Sequence, residues 1–186
     1  MRISQLRDEL ERRAARDQQA RQAVEGWSDD SRTELWNAVS EIDADNTRWL
    51  VDLITRQGWP QQSEVGEEAA TNAWLLAQHA DMQPESQRLF HRLMAQAVEA
   101  GEASPRLLGY LEDRVRINSG RPQLFGTQFV DCGNGLEPRP IEDPDGLAER
   151  RRTVGMEPFE EYQATMQQLW RRNSNPEATG RTQELD

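Results

Sequence analysis

The chain has 186 residues, a net charge of -11 and a pI near 4.8, and its length suits one domain around one hydrophobic core. The acidic balance argues against nucleic acid as a partner, because binding to phosphate backbones rests on Lys and Arg. Lysine is absent, which excludes Schiff-base and pyridoxal phosphate chemistry and also the lysine of a phosphate-binding P-loop.

The N-terminus and the single cysteine favour a cytoplasmic protein without membrane contact. Residues 1–8 are charged where a signal peptide would be apolar, and no later stretch approaches the length of a membrane span. Cys132 has no partner for an internal disulfide, which suits a reducing compartment.

Hydrophobic spacing predicts helices throughout the first third of the chain. Residues 3–25 form an amphipathic helix whose apolar seam is narrow enough to pair with a partner protein or with a second copy. A second helical stretch is predicted to be interrupted or capped at 43–46, to resume at Thr47 and to end at Gly58. The seam consists of Leu6, Leu10 and Ala14.

The stretch Trp74–Asp81 is the centre of the predicted fold, because it is an apolar helix core that ends in hydrogen-bonding side chains. Its helix is predicted to run from about Ser63 to His79. Helical steps back from His79 place an imidazole, an amide and a carboxylate on one ridge. The ridge residues are Glu68, Asn72, Leu75 and His79.

The second half of the chain alternates between clear helices and an irregular segment. Pro84 and the pair Ser104-Pro105 begin two further helices. Residues 120–146 are rich in Gly and Pro, which predicts an insertion with a hairpin around Cys132–Gly135. A short arginine-rich helix follows, and Pro158 begins a last amphipathic helix.

Together these elements predict an all-α fold. We expect a single-domain bundle of about six or seven helices with a short β-hairpin or irregular insertion. The predicted units are an N-terminal helix at 1–25, a helical domain at 26–171 that contains the insertion, and a disordered polar tail at 172–186.

Five short motifs carry a family resemblance: Gly58-Trp59-Pro60, Val65-Gly66, Trp74 to Asp81, Tyr110 to Val115, and Pro122 to Gln128. In this order they resemble an uncharacterised bacterial family that is described only as a domain of unknown function and as mainly helical. The resemblance covers about 43–162, and Phe125 departs from it because the family pattern has a tyrosine there. It implies polar or aromatic family positions at Asn46, Trp59, Gln78, His79, Asp81, Asp113, Arg114, Gln123, Thr127 and Gln128, and it brings no activity with it.

His79 is the strongest catalytic candidate, because an imidazole titrates near neutral pH and can move protons there. Asp81 and Glu68 are near enough in sequence to orient the ring. The alternative is that His79 only caps the C-terminus of its helix, where the helix dipole favours a cation.

Arg114 is the candidate for holding an anionic group, because its planar guanidinium matches carboxylate and phosphate. The predicted substrate-binding set is Asn46, Trp59, Gln78, Asp113, Gln123, Thr127 and Gln128. Within that set Asp113 is favoured as an ion-pair partner that ties its helix to the insertion. The two amides of the insertion, with the threonine beside them, either satisfy local backbone groups or reach across to His79 and line the site.

No metal or organic cofactor is predicted, although a single magnesium ion held by Asp or Glu carboxylates is left as an alternative. Helical di-metal sites use Glu-x-x-His pairs, and Leu76 and Arg88 occupy the positions where the glutamates would stand. Two histidines and one cysteine are also too few for a structural zinc site. Cys132 with His79 as its base is a further alternative, but a lone cysteine in a turn is usually incidental.

Two classes of function follow from these residues. The first is an enzyme that modifies a small molecule or peptide, of the hydrolase or lyase type, with His79, Asp81 and Arg114 as its catalytic residues beneath the insertion. The second is a non-catalytic binding or adaptor module that recruits a partner protein through its acidic surface and first helix. An immunity-type protein that covers a basic partner is a variant of the second class.

Overall fold

The computed structural model describes the backbone of residues 1–24 and 29–174. In this part of the chain the structure has eight α-helices, one 3-10 turn and a two-stranded antiparallel sheet, so the predicted all-α fold with a small hairpin is confirmed. The helices are α1 (Ile3–Val24), α2 (Asp29–Gln57), α3 (Gln62–Val65), α4 (Glu67–Gln78), α5 (Pro84–Glu99), α6 (Pro105–Asn118), α7 (Leu147–Thr153) and α8 (Phe159–Ser174). The strands are β1 (Phe129–Asp131) and β2 (Leu136–Pro138), and the 3-10 turn is Pro144–Gly146.

Helix α2 is continuous, so the predicted interruption at 43–46 was wrong. Asp and Asn are weak helix formers because their side chains compete for backbone groups. Here those side chains bond to α1 instead, since Asp43 pairs with Arg21 and Asp45 pairs with Arg13. Contacts between helices therefore override the local preference of this segment.

The central helix is shorter than predicted and is divided in two. Gly66 has a φ of 84°, which ends the one-turn α3 and lets α4 begin at Glu67. At the other end α4 stops at Gln78, and His79 is its C-cap residue. The predicted end of α2 is confirmed, because Gly58 follows it with a φ of 78°.

The hydrophobic core lies where α1, α2 and α4 to α6 meet. Leu10, Leu50, Leu76 and Leu111 are fully buried there, and Ala73 lets neighbouring helices approach α4 closely. The predicted seam of α1 is buried in this core against α2 and α4. The seam therefore packs within the chain and is not open to a partner helix, while the predicted partner protein or second copy itself stays a prediction.

The insertion contains the predicted hairpin, in which Val130 of β1 lies opposite Glu137 of β2. Helix α8 continues to Ser174, beyond the residue at which the polar tail was predicted to begin. The rest of that predicted tail, 175–186, lies outside the described residues. None of the described helices combines the length and the apolar character that crossing a lipid bilayer requires.

Two glycines of the insertion give a matched test of how tightly α8 packs on it. Gly126 has a φ of 72°, and a Cβ added there would lie 2.7 Å from a ring carbon of Phe159. Gly133 has a similar φ of 82°, but an added Cβ would meet nothing within 4 Å. We expect Gly126→Ala to lower the free energy of unfolding by about 2 to 5 kcal/mol, from backbone strain and overpacking together. Gly133→Ala should cost about 1 to 2 kcal/mol from strain alone. Urea denaturation measures both, and equal losses would show that Phe159 does not restrict this position.

Candidate functional site

Two clusters of polar side chains meet at the C-terminal end of α4. The histidine cluster consists of Asp17 and Arg21 of α1, Asp43 of α2 and His79. The arginine cluster consists of Asp81, Gln87 of α5, Arg114 and Asn118 of α6, and Gln128 of the insertion. The two residues that anchor them, His79 and Asp81, are only two positions apart, yet their side chains bond to different helices.

His79 is oriented by a buried carboxylate of α1. Its Nδ1 atom lies 2.9 Å from Oδ1 and 3.0 Å from Oδ2 of Asp17, whose side chain is 0% exposed. Because an ionised carboxylate only accepts hydrogen bonds, Nδ1 must carry the proton that joins them. The neutral ring then keeps its lone pair on Nε2. That atom has no hydrogen-bond partner among the described residues, and the side chain is 14% exposed.

Arg21 joins the two carboxylates of the histidine cluster. Its Nη2 atom donates to both oxygens of Asp43, at 2.7 and 2.9 Å, and its Nε atom lies 3.3 Å from Oδ2 of Asp17. The same Nε atom is 3.1 Å from Nδ1 of His79. Since Nδ1 already donates to Asp17, the Arg21 Nε–H bonds to the carboxylate, and one cation holds two anions beside the ring.

The pKa values of the two carboxylates in the histidine cluster shift in opposite directions. Burial raises the pKa of Asp43 to about 6, although the charge of Arg21 opposes this shift. Burial also acts against ionisation of Asp17, but the hydrogen bond from His79 and the charge of Arg21 outweigh it and lower the pKa of Asp17. Asp17 is therefore the permanent anion of the cluster, and Asp43 is the one that changes charge at mildly acidic pH.

The same residues form a possible metal-ligand set. One ligand atom from each of Asp17, Asp43 and His79 lies within 4.8 Å of the other two. The guanidinium of Arg21 already bonds to both carboxylates and so provides the positive charge that a metal ion would bring. These three residues would hold a divalent ion only if Arg21 moved away.

The arginine cluster is a closed network. Arg114 binds both oxygens of Asp81 through Nε and Nη2, each at 3.0 Å, and its Nη1 donates to Gln128 at 2.9 Å. Oδ1 of Asp81 also accepts from Asn118 at 2.8 Å and from Gln87 at 3.1 Å. An anionic substrate would therefore compete with Asp81 for Arg114. The expectation that Asp81 orients His79 is corrected, because Asp17 bonds the ring while Asp81 bonds Arg114.

Asp113 of α6 anchors the start of the insertion through hydrogen bonds. It is fully buried and accepts hydrogen bonds from the backbone N–H groups of Leu124, Phe125 and Thr127, at 2.6 to 3.2 Å, and from the Thr127 hydroxyl at 2.9 Å. The predicted tie between this helix and the insertion is present, but it consists of hydrogen bonds to backbone and hydroxyl groups and not of an ion pair.

The two amides of the insertion bond to different partners, and neither of them reaches His79. Gln123 exchanges hydrogen bonds with the backbone of Gln128 and donates to the carbonyl oxygen of Arg139, so it satisfies local backbone groups. The side chain of Gln128 bonds to Arg114 and Thr127. No hydrogen bond among the described residues links the insertion to His79, so the predicted reach of these amides to the imidazole is not formed.

Three further predicted site residues are buried away from these contacts. Asn46 accepts from Arg13 at 3.0 Å, and its Nδ2 atom has no described partner. Trp59 lies in the core and Gln78 is buried, and neither Nε1 of Trp59 nor Oε1 of Gln78 has a hydrogen-bond partner in the described ranges. Their proposed contact with substrate stays a prediction.

Sequence reasoning missed Asp17, Arg21 and Asp43. A signal for the first two was present, because Leu6, Leu10 and Ala14 set up a core-facing stripe, and helical steps of three and four residues carry it on to Asp17 and Arg21. Polar residues in an apolar stripe indicate a buried network. The partner of that network, 62 positions away, could not be identified from the sequence.

A family model described as "Family of unknown function (DUF6624)" matches residues 4–171 of the chain. The match includes α1, which the resemblance over about 43–162 had left out, and with it Asp17 and Arg21. No curated protein and no solved structure matches the chain.

The raised pKa of Asp43 gives a prediction for stability. Between pH 4 and 6 the folded protein holds a proton on Asp43 that the unfolded chain has released, so this group lowers stability as pH rises. Asp43→Asn removes the titration. The free energy of unfolding of Asp43→Asn minus that of wild type should therefore be about 2 to 3 kcal/mol greater at pH 7 than at pH 4. Urea denaturation at four pH values measures this.

Asp45, two positions further along α2, is the matched control. A hydrogen bond from Arg13 lowers the pKa of Asp45, so this carboxylate adds stability above its unfolded pKa. Because that gain is nearly complete above the unfolded pKa of about 3.9, the stability of Asp45→Asn relative to wild type should stay level or fall slightly from pH 4 to pH 7. The same sign of change in both variants would contradict the assignment for Asp43.

Proposed function

We propose that this chain, which belongs to the Family of unknown function (DUF6624), is an enzyme that acts on a small molecule or peptide and uses His79 to transfer protons. Membership in the family supplies no activity, so the proposal rests on the residues of the histidine cluster. The reaction class that fits is hydrolysis or elimination, in which a base takes a proton from water or from the substrate.

The observation that carries the proposal is the 2.9 Å bond between Asp17 and Nδ1 of His79. A buried carboxylate in this position selects one tautomer of the ring and stabilises the imidazolium that forms when Nε2 takes a proton. Nε2 faces no partner in the described part of the chain, which leaves it available as the base. The alternative of a simple helix cap does not require a second residue to hold the ring.

The charges of the cluster suit the imidazolium that general-base catalysis forms. With both carboxylates ionised, Arg21 compensates one of the two negative charges beside the ring. The remaining negative charge lies within hydrogen-bond distance of the imidazole and would stabilise its cationic form during turnover.

Within this proposal the arginine cluster positions the substrate. Arg114 is 31% exposed and Asp81 is 38% exposed, so an anionic group can reach the guanidinium by exchanging places with Asp81. Gln128, which accepts a hydrogen bond from Nη1 of Arg114, would keep the guanidinium group in its present plane. Asp113, Gln123 and Thr127 would act only through the shape of the insertion.

The test uses a chromogenic panel of p-nitrophenyl acetate, p-nitrophenyl phosphate and an amino-acid p-nitroanilide. We expect His79→Gln to abolish turnover of any substrate that wild type cleaves. Asp17→Asn should lower kcat by about 10²-fold or more, because an amide in that position no longer favours the reactive tautomer. Initial rates of wild type from pH 5 to pH 9 should rise with pH, as general-base catalysis requires.

His91→Gln is the matched control, because His91 is the second histidine of the chain and pairs with Glu112 on α6, outside the histidine cluster. It should keep wild-type turnover. Nitrogen-15 spectra of the imidazoles supply a second readout, in which neutral His79 should carry its proton on Nδ1. Turnover that survives in His79→Gln, or a ring protonated on Nε2, would end the proposal.

A second candidate function is metal-assisted hydrolysis at the same cluster, and the ligand geometry of Asp17, Asp43 and His79 favours it. Two carboxylates and one imidazole suit zinc or manganese, and an ion among them would activate a bound water. Arg21 must then move away from the two carboxylates. The two candidate functions therefore predict different effects of substituting Arg21.

Calorimetric titration with Zn²⁺ separates the candidates. If the metal function holds, wild type binds one Zn²⁺ and His79→Gln does not. Arg21→Gln should then bind about thirtyfold more tightly, because a unit charge 4 Å from a divalent ion is worth about 2 kcal/mol even in water. His91→Gln should bind as wild type does. Absence of saturable binding in wild type and in Arg21→Gln would exclude the metal candidate and leave the acid–base proposal in place.

A further inference from the structure

Arg151 of α7 is a buried cation that forms no ion pair with any described residue. The residue is 1% exposed, and its Nε donates to the carbonyl oxygen of Glu157 at 2.7 Å while Nη1 donates to that of Phe125. Nη2 is buried and has no hydrogen-bond partner among the residues that the structure describes. In the described part of the chain no carboxylate lies within ion-pair distance of this guanidinium.

The nearest carboxylates are occupied elsewhere. Asp113 is surrounded by the N–H groups of the insertion, and the side chain of Glu157 pairs with Arg106. Burial lowers the pKa of Arg151, and the more distant charge of Glu157 only partly opposes this. The rings of Tyr162 and Phe159, 5.1 and 5.9 Å from the guanidinium carbon, offset part of the desolvation. A buried charge that bonds only neutral groups costs several kcal/mol, so the fold retains it at a penalty.

Arg151 lines a cavity of about 310 Å³ between α7 and the start of α8. Most of its walls are apolar and come from Leu147, Ala148, Met156, Pro158 and Phe159. Arg152 and Glu160 also line it, and Arg152 is paired with Glu149. The volume is at the lower end of the range for small-molecule sites, which fits a compact ligand.

We propose that this cavity binds a small organic monoanion, a carboxylate on a compact aromatic or aliphatic body, whose carboxylate bonds to Nη2 of Arg151. The planar guanidinium matches a carboxylate, and the apolar walls match the body that carries it. Glu160 disfavours ligands with two or more negative charges. The site is formed by α7 and α8 and shares no residue with the histidine cluster, so it is independent of the function proposed above.

The test uses phenylacetate as the probe and phenylacetamide as its neutral counterpart of nearly the same shape. Calorimetry and thermal denaturation should show one phenylacetate bound per chain and a rise in Tm that grows with its concentration. Phenylacetamide should bind at least about tenfold more weakly, since it lacks the charge that Arg151 needs. Inorganic phosphate, which has no apolar body, should bind more weakly than phenylacetate.

Substitution of Ala148 keeps the test independent of folding, because Arg151→Gln also removes two hydrogen bonds that hold Phe125 and Glu157. Ala148 is an exposed residue of α7 that lines the cavity, so Ala148→Trp should fill the space and abolish phenylacetate binding. Ala164→Trp is the matched control, because Ala164 is an exposed helical alanine of α8 outside the cavity lining. It should bind phenylacetate as wild type does.

Three results would overturn the proposal. The first is the absence of saturable phenylacetate binding at millimolar concentration. The second is binding of phenylacetamide with equal affinity, which would show that the charge of Arg151 plays no part. The third is equal binding by the variants Ala148→Trp and Ala164→Trp, which would place the probe at another surface.

Discussion

The hydrogen bond between Asp17 and His79 is the contact on which the proposed chemistry depends. A carboxylate that is fully shielded from water costs several kcal/mol unless donors surround it. Here the imidazole and Arg21 supply those donors, and the ring in return is fixed in one tautomer. Because Asp17 stands on α1 and His79 at the end of α4, the first helix is part of the site as well as of the core. Packing of Leu6 and Leu10 against the neighbouring helices is what brings the carboxylate to the ring.

Arginine and backbone carbonyl groups hold together the part of the molecule that lacks a large apolar core. Only three residue pairs join β1 and β2 of the insertion, and so small a sheet is too short to be stable alone. Arg150 donates to the carbonyl oxygens of Leu124, Glu142 and Asp143, and Arg116 donates to that of Pro122. A planar group with five donors can satisfy several such carbonyls at once, which an ammonium group on a flexible stem does less well. The absence of lysine is consistent with this use of the cationic side chains.

The sequence allowed the prediction of features that depend on neighbouring residues, and failed for features that depend on distant ones. Gly58, Pro84 and the Ser104-Pro105 pair mark helix ends through local backbone preferences, and the structure has those ends where they were predicted. The continuity of α2 could not be predicted, because it depends on ion pairs that Asp43 and Asp45 make with α1. His79 was predicted to be catalytic from its residue type, and its partner was assigned to Asp81 by proximity in sequence, whereas the structure pairs the ring with Asp17. The chain turns after Gln78, so Asp81 points to α6 while His79 points to α1.

The turn after Gln78 also explains how the short segment from His79 to Asp81 contributes one residue to each of the two clusters. Gln87 of α5 donates to the carbonyl oxygen of Gln78 and to Asp81, and thereby ties the free end of α4 to the next helix. Arg114 and Asn118 add bonds from α6 to the same carboxylate. The Asp81–Arg114 pair is partly exposed, so its worth in stability is about 0 to 1 kcal/mol. Its larger effect is geometric, because it fixes the end of α4 against α5 and α6 while Asp17 holds the ring from the side of α1. The imidazole is thus held in place by both halves of the bundle, which is the preorganisation that proton transfer requires.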